Sequence, residues 1–354
     1  MKKTIAALPG DGVGPEVMKG AVSVLKKVAE VYGHEFSFEE HLIGGAAYDE
    51  FGTPLPDATL KSAGNADAIL LGAVGGPKWD SVDKTLRPEQ GLLKIRKELN
   101  LYANLRPIKV FDALVHSSPL KESRVSGTDI MIIRELTGGL YFGMPRERRD
   151  GGNTVVDTLL YTREEIERIV EVGFQTAQVR GKKLTSVDKA NVLESSRMWR
   201  EIVDQKSKDY PEVTVEHALV DSTAMKLITA PNDFDVVVTE NLFGDILSDE
   251  ASVVTGSLGL LPSASLRDDS FGLYEPVHGS APDIAGQNVV NPLAMILSAG
   301  MMLKYSFGMD KESRAVEQAV EALLADGFHS KDLDIEGELL STSEMIEKVM
   351  LYIK

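Results

Sequence analysis

The chain contains no cysteine, which excludes a disulfide framework and a thiolate metal centre. It is also poor in positive charge: 38 lysines and arginines face 54 aspartates and glutamates, a formal net charge of −16. That balance argues against sequence-independent nucleic-acid binding, which requires a basic surface. An anionic small substrate is still accommodated, because a few clustered arginines make a local positive pocket in an acidic protein. The 6 histidines are scattered, so a histidine-built metal site is not expected. No uninterrupted apolar run is long enough to span a bilayer. The opening residues, 1–10, start basic but lack a sustained apolar core or a small-residue cleavage site, and read as a first strand. These absences fit the cytoplasm. No internal repeat and no low-complexity linker interrupts the 354 residues, a length that suggests two domains. Without a linker, two domains would share a continuous sheet or exchange segments.

What is present alternates strand and helix, which predicts an α/β protein with a largely parallel sheet. Residues 4–8 read as a buried strand, and Pro9-Gly-Asp-Gly-Val-Gly-Pro-Glu16 leads into a helix whose apolar face is Val17, Ala21, Val24, Leu25 and Val28. Strand, glycine loop and helix is the layout that cradles phosphates in dinucleotide folds. A tight turn between strand and helix explains the same residues equally well, since no ribose-binding acid follows a second strand. Strands are expected at 67–74, ending in Gly75-Gly76, and at 102–107, 129–133, 183–187, 213–220 and 234–239. Between them fall helices at 87–99, 195–208 and, opened by the capping box Thr162-x-x-Glu165, 162–180. Residues 146–161 read as an arm or hairpin. The stretch 273–292 is too rich in glycine and proline for regular structure and reads as one long, functional loop.

Polar residues gather at the strand ends. Arg106 and Arg134 lie there, with Arg96 near the end of the preceding helix, and guanidinium forks pair carboxylates bidentately. Each alone is usually a surface ion-pair residue; together they could grip a dicarboxylate. Asp221 closes one strand and Lys189 follows another. After the strand at 234–239 comes Asn241-Leu-Phe-Gly-Asp245-Ile-Leu-Ser-Asp249-Glu250. Asp245 and Asp249, four apart, project from one face of a helix. A solvated acidic helix face is the ordinary explanation, but hard divalent cations also take such carboxylates. In α/β sheets the ligand crevice lies outside the carboxyl ends of strands, so these groups can converge. A lysine set among a metal ion and arginines is a candidate general base, because neighbouring cations ease loss of its proton. Tyr141, in a glycine-flanked turn, is a candidate proton donor.

Five stretches carry a resemblance over the whole chain: LPGDGVGPE at 8–16, RELTGGLYFG at 134–143, DKANVLE at 188–194, NLFGDILSDEASVVTGSLGL at 241–260 and EPVHGSAPDIAG at 275–286. The chain resembles the β-decarboxylating dehydrogenases, the family of isopropylmalate, isocitrate and tartrate dehydrogenases. The resemblance implies that family's α/β fold, which is not a Rossmann fold, with two domains sharing a mixed, largely parallel sheet. A discontinuous NAD-binding domain would take 1–101 plus 258–354. A domain for substrate, metal and dimerisation would take 102–257, with the arm near 146–161.

The resemblance further implies roles. Arg96, Arg106 and Arg134 would hold the carboxylates of a malate moiety, and Asp221, Asp245 and Asp249 would bind Mg²⁺ or Mn²⁺. Lys189 would take the hydroxyl proton as hydride passes to NAD⁺, and after loss of CO₂ Tyr141 would protonate the enol carbon. NAD would lie on the loop from Glu275 through His278, Gly279, Ser280 and Ala281 to Asn291, with Ile284 and Gly76 adding contacts. Asp283 would accept hydrogen bonds from the adenosine ribose, favouring NAD over NADP. Glu89, Leu92 and Leu93 would meet the substrate's variable group, and leucines suit an isopropyl group better than a third carboxylate. The implied substrate is therefore 3-isopropylmalate, converted to 2-oxo-4-methylpentanoate on the way to leucine. Lys189, Val192 and Asp221 would complete the site of a second subunit in a homodimer. Tartrate, malate or a homologous alkylmalate are the alternative substrates, and a catalytically silent regulatory subunit the alternative role.

Overall fold

The computed structural model describes residues 1–333 and 335–354, and the chain divides into two compact units. One comprises Met1–Leu101, Phe111–Ser117 and Gly256–Lys354; the other comprises Tyr102–Val110 and Ser118–Thr255.

In the first unit the strands run in the order Glu35–Glu40, Lys2–Gly10, Ala68–Ala73, Gly272–Pro276, Pro262–Leu266. Every pairing is parallel except that between the last two. Lys2–Gly10 from Ile5 onward, and the whole of Ala68–Ala73, are buried on both faces, as apolar parallel strands require. The helix Gly14–Tyr32 buries Val17, Ala21, Val24, Leu25 and Val28, the stripe expected from its spacing. It starts with proline in its first turn, and ends at Gly33, whose φ of 70° supplies the left-handed cap. Leu293–Tyr305 is apolar all round and accordingly lies buried through Leu303.

The expectation of a single loop over 273–292 needs correction. Its first residues belong to the strand Gly272–Pro276, which pairs with a neighbour on each side and is fully buried. Tertiary pairing overrides the poor strand propensity of its glycine and proline, which stand at its ends.

In the second unit the order is Ala103–Lys109, Asp129–Glu135, Val236–Thr239, Lys183–Asp188, Thr214–Leu219. The first pairing is antiparallel and the rest are parallel. Register aligns the carboxyl ends: Thr239 faces Arg134 on one side and Val187 on the other, while Asp188 faces Leu219. The residues that follow these strands therefore emerge along one edge. Arg163–Val179 covers the sheet with Ile166, Ile169, Val170 and Phe174, and both bonds of the Thr162/Glu165 capping box are made. The arm is a short hairpin in which Glu147–Arg149 pairs with Thr154–Val156. Among the described residues no helix is long and apolar enough to cross a membrane.

Candidate active site

The edge of the second unit carries a charge-balanced cluster of two arginines and two aspartates. Asp245 and Asp249 stand one turn apart on the helix Asn241–Thr255, as their spacing requires. Arg106 donates through Nη1 to Ser248 Oγ at 2.6 Å and to Asp249 Oδ1 at 3.3 Å, and through Nε to Asn104 Oδ1 at 2.8 Å. Arg134 donates through Nη2 to Asn241 Oδ1 at 2.8 Å and through Nη1 to Asp245 Oδ1. Its side chain is 3% exposed. A guanidinium so buried must keep an anionic partner, since stripping one from a buried pair costs about 3–5 kcal/mol.

Tyr141 completes this cluster. Its hydroxyl donates to Asp245 Oδ2 at 2.5 Å, and Arg134 lies 5.3 Å from its ring centre. Burial, and then the bond to Asp245, push its ionisation above the ordinary tyrosine value, so it stays a proton donor at neutral pH. Burial likewise raises Asp249, with Arg106 opposing and Asp245 adding to the shift.

Lys189 and Asp221 form a separate pair on the same unit, Nζ to Oδ1 at 2.6 Å. The bond to Lys189 holds the Asp221 carboxyl below its usual range. The backbone that carries Lys189 is fixed from both sides: its own N–H donates to Ser196 Oγ, and Ala190 N–H donates to Asp188 Oδ1. Asp188 is in turn held by Arg200 at 2.6 Å. Val192 follows on the same turn and is 62% exposed. Among the described residues no three histidine, aspartate or glutamate side chains gather closely enough to hold a metal ion, so Asp221 does not join Asp245 and Asp249 within one chain.

The remaining candidates lie on the first unit. Glu89, Leu92, Leu93 and Arg96 share one face of the helix Pro88–Glu98. Leu92 packs partly on the core, Leu93 is half-buried, and the Glu89 carboxylate lies against Gly75, next to Gly76. Arg96 is buried and donates to Glu275 Oε1 at 2.5 Å, while its Nε is buried with no partner among the described residues. Beyond Glu275 the chain runs irregularly to Asn291. His278 Nδ1 faces Gly279 O, its Nε2 is buried with no partner among the described residues, and burial lowers its ionisation, which keeps the ring neutral. Gly279 faces open space, Ala281 has a φ of 37°, and Asp283 is exposed. Ser280 and Asn291 are instead buried; Asn291 Oδ1 accepts from Leu293 N–H and its Nδ2 donates to Asp332.

A sequence profile described as isocitrate/isopropylmalate dehydrogenase matches residues 4–349. The chain belongs to this family. The 3-isopropylmalate dehydrogenase of Heyndrickxia coagulans is 63% identical over 352 residues, covering 99% of this chain and 96% of that protein. That of Bacillus subtilis is 59% identical, with the same coverage. Among solved structures, isocitrate dehydrogenase from Methylococcus capsulatus superposes with a TM-score of 0.87 at 34% identity, covering 99% of both chains.

For a member of the isocitrate/isopropylmalate dehydrogenase family, the residues present fit both implied groups. Asp245 and Asp249 are hard oxygen donors beside Arg106, the donor set Mg²⁺ or Mn²⁺ takes. His278 Nε2, which has no partner among the described residues, the open Gly279 and the exposed Asp283 offer polar groups to a nucleotide. Sequence reading missed Asn104, Asn241 and Ser248, which aim the two arginines. Asn241 and Ser248 sit inside the aspartate motif, and the only signal was an amide and a hydroxyl at helix positions that face the sheet.

Proposed function

We propose that this chain oxidises 3-isopropylmalate with NAD⁺ and decarboxylates the product to 2-oxo-4-methylpentanoate, a cytoplasmic step towards leucine. The observation that carries this reading is the cluster of Arg106, Arg134, Tyr141, Asp245 and Asp249. It unites carboxylate recognition, hard-cation ligands and a proton donor at one strand edge. A divalent cation held by Asp245 and Asp249 would act as a Lewis acid towards the substrate's oxygens, and NAD⁺ would accept hydride. Arg106 and Arg134 orient the malate carboxylates. Lys189 takes the hydroxyl proton. Tyr141, kept protonated by burial and by Asp245, delivers a proton to carbon after CO₂ leaves. Leu93 and the exposed part of Leu92 offer an isopropyl group an apolar contact and give a third carboxylate no donor. Asp283 would accept hydrogen bonds from the ribose hydroxyls and repel a 2′-phosphate, which favours NAD over NADP.

A homodimer that shares its sites completes the reading. Apolar side chains stand exposed on the helices Val220–Thr229 and Asn241–Thr255, with Met225 65%, Ile246 55% and Val253 45% exposed. The hairpin arm is too small to be stable alone. A partner's Lys189 and Asp221 would then meet Asp245 and Asp249 of this chain.

NADH production with Mg²⁺ or Mn²⁺ tests the proposal. Turnover is expected with 3-isopropylmalate and NAD⁺, lost with EDTA and weak with NADP⁺. Preference for isocitrate, malate or tartrate would sink the leucine argument and leave the chemistry. Inactivity on all four, from folded protein, would favour a regulatory subunit.

The arginine pocket has its own test. A Cβ at Gly244 would stand 2.6 Å from Arg134 Cγ. Overpacking of this kind costs about 1–3 kcal/mol. The variant Gly244→Ala is therefore expected to raise KM for isopropylmalate roughly tenfold in steady-state assays, with NAD⁺ affinity unchanged. An unaltered KM would remove Arg134 from substrate binding.

A further inference from the structure

The glycine motif 9–16 remains without a task once NAD is assigned to the loop beyond Glu275. Its anion-binding capacity is used internally. The N–H groups of Asp11, Val13, Gly14, Glu16 and Val17 all donate to backbone carbonyls, Val13 to Ser280 O at 2.8 Å. The Asp11 carboxylate accepts from Gly45, Ala46 and Gly75 N–H at 2.7–2.8 Å, filling the place a bound anion would take at the start of the helix Gly44–Phe51. Gly12, with φ of 57°, brings its backbone so near that a Cβ would lie 2.0 Å from Ser280 O. Glu16 Oε1 accepts from Gly286 N–H at 2.5 Å. The motif therefore grips the loop at Ser280 and at Gly286. Between these anchors lie Ala281, Asp283 and Ile284. Ala281, with its φ of 37°, adopts a conformation that persists in a non-glycine residue only where its surroundings enforce it. On the far side Asn288 O accepts from Thr342 N–H, and Asn288 Oδ1 from Ser343 N–H.

We propose that the glycine motif is the seat of the cofactor loop, and that Glu16 is a positioning residue that sets the Ala281–Gly286 turn for the adenosine end of NAD. This rests on the assignment of that loop to the cofactor. Glu16 touches neither substrate nor reacting atoms. Its loss lets the turn relax, so that ordering the loop is charged against cofactor binding.

Titrating NADH by fluorescence against the full-length enzyme and two variants tests this. Glu16→Ala is expected to raise the NADH dissociation constant about tenfold, leaving KM for isopropylmalate and kcat at saturating NAD⁺ within twofold. Glu16→Gln keeps an acceptor oxygen and is expected to restore most of the affinity. Equal NADH affinity in the enzyme and Glu16→Ala overturns the proposal while leaving the cofactor assignment intact. Failure of the unaltered enzyme to bind NADH would overturn that assignment and the proposal with it. Amide exchange supplies a readout free of activity and of any variant's folding: Gly286 N–H is expected to be protected in the unaltered protein without NAD, and rapid exchange there would likewise overturn the proposal.

Discussion

Replacing Lys189 by alanine is expected to lower kcat for isopropylmalate by about 10²–10⁴-fold, the usual contribution of a positioned general base. The fold is expected to persist. The lysine side chain reaches solvent, it bonds the exposed Asp221 carboxylate, and the turn beneath it is fixed through Ser196 and Asp188 rather than through Nζ. NADH should bind as before, because the proposal gives Lys189 a proton-transfer role and assigns the cofactor to residues 275–291. Lys189→Arg separates charge from proton transfer. A guanidinium keeps the positive charge but cannot give up a proton to become a base, so this variant should stay slow as well. Rapid-mixing measurement of the first turnover at saturating substrate and NAD⁺ checks both variants. Activity of Lys189→Ala within tenfold of the unaltered enzyme would move the base elsewhere; recovery in Lys189→Arg alone would make the residue an electrostatic one.

Local features of the site were legible in the sequence because they depend on short-range geometry. Asp245 and Asp249 sit four apart and fall on one helical face. Arg134 and Lys189 fall at strand ends because apolar runs stop where these residues start; Arg106, also expected at a strand end, lies instead in the middle of Ala103–Lys109, and Asp221 lies in the first turn of the helix Val220–Thr229. The convergence itself was not legible. Arg134 and Tyr141 meet Asp245 across 111 and 104 residues, and no local pattern encodes that distance. The strand Glu35–Glu40 escaped notice although Phe36 and Phe38 alternate with polar residues, because a six-residue edge strand gives a weak signal. The glycine motif was legible as a turn, yet its glycines suggested a phosphate ligand. What decided its task was Asp11 and Glu16, two acids whose partners lie on distant segments. The Glu275 strand shows the opposite error, where composition spoke for a loop and pairing on both edges made a strand.

Mixing two inactive variants is expected to restore activity, and this is the decisive test of a shared site. Lys189→Ala keeps its own Asp245 and Asp249; Asp249→Asn keeps its own Lys189 and Asp221. Asp249 is chosen over Asp245 because its side chain is 63% exposed against 31%, and Arg106 retains Ser248 and Asn104 when Asp249 is neutralised. The buried Arg134 keeps its Asp245 partner as well. If each site takes Lys189 and Asp221 from one subunit and Asp245 and Asp249 from the other, a mixed dimer holds one whole site and one doubly broken site. Random pairing of equal amounts makes half the dimers mixed, so activity should return to roughly a quarter of that of the unaltered enzyme. Mixed dimers isolated by two different affinity tags should show roughly half. The geometry motivates the expectation directly: Lys189 bonds to Asp221, Asp245 bonds to Arg134 and Tyr141, and no three acidic groups gather within the described chain. Mixed dimers no more active than the sum of their parents would place each site within one chain, and the exposed Met225, Ile246 and Val253 would then need another explanation.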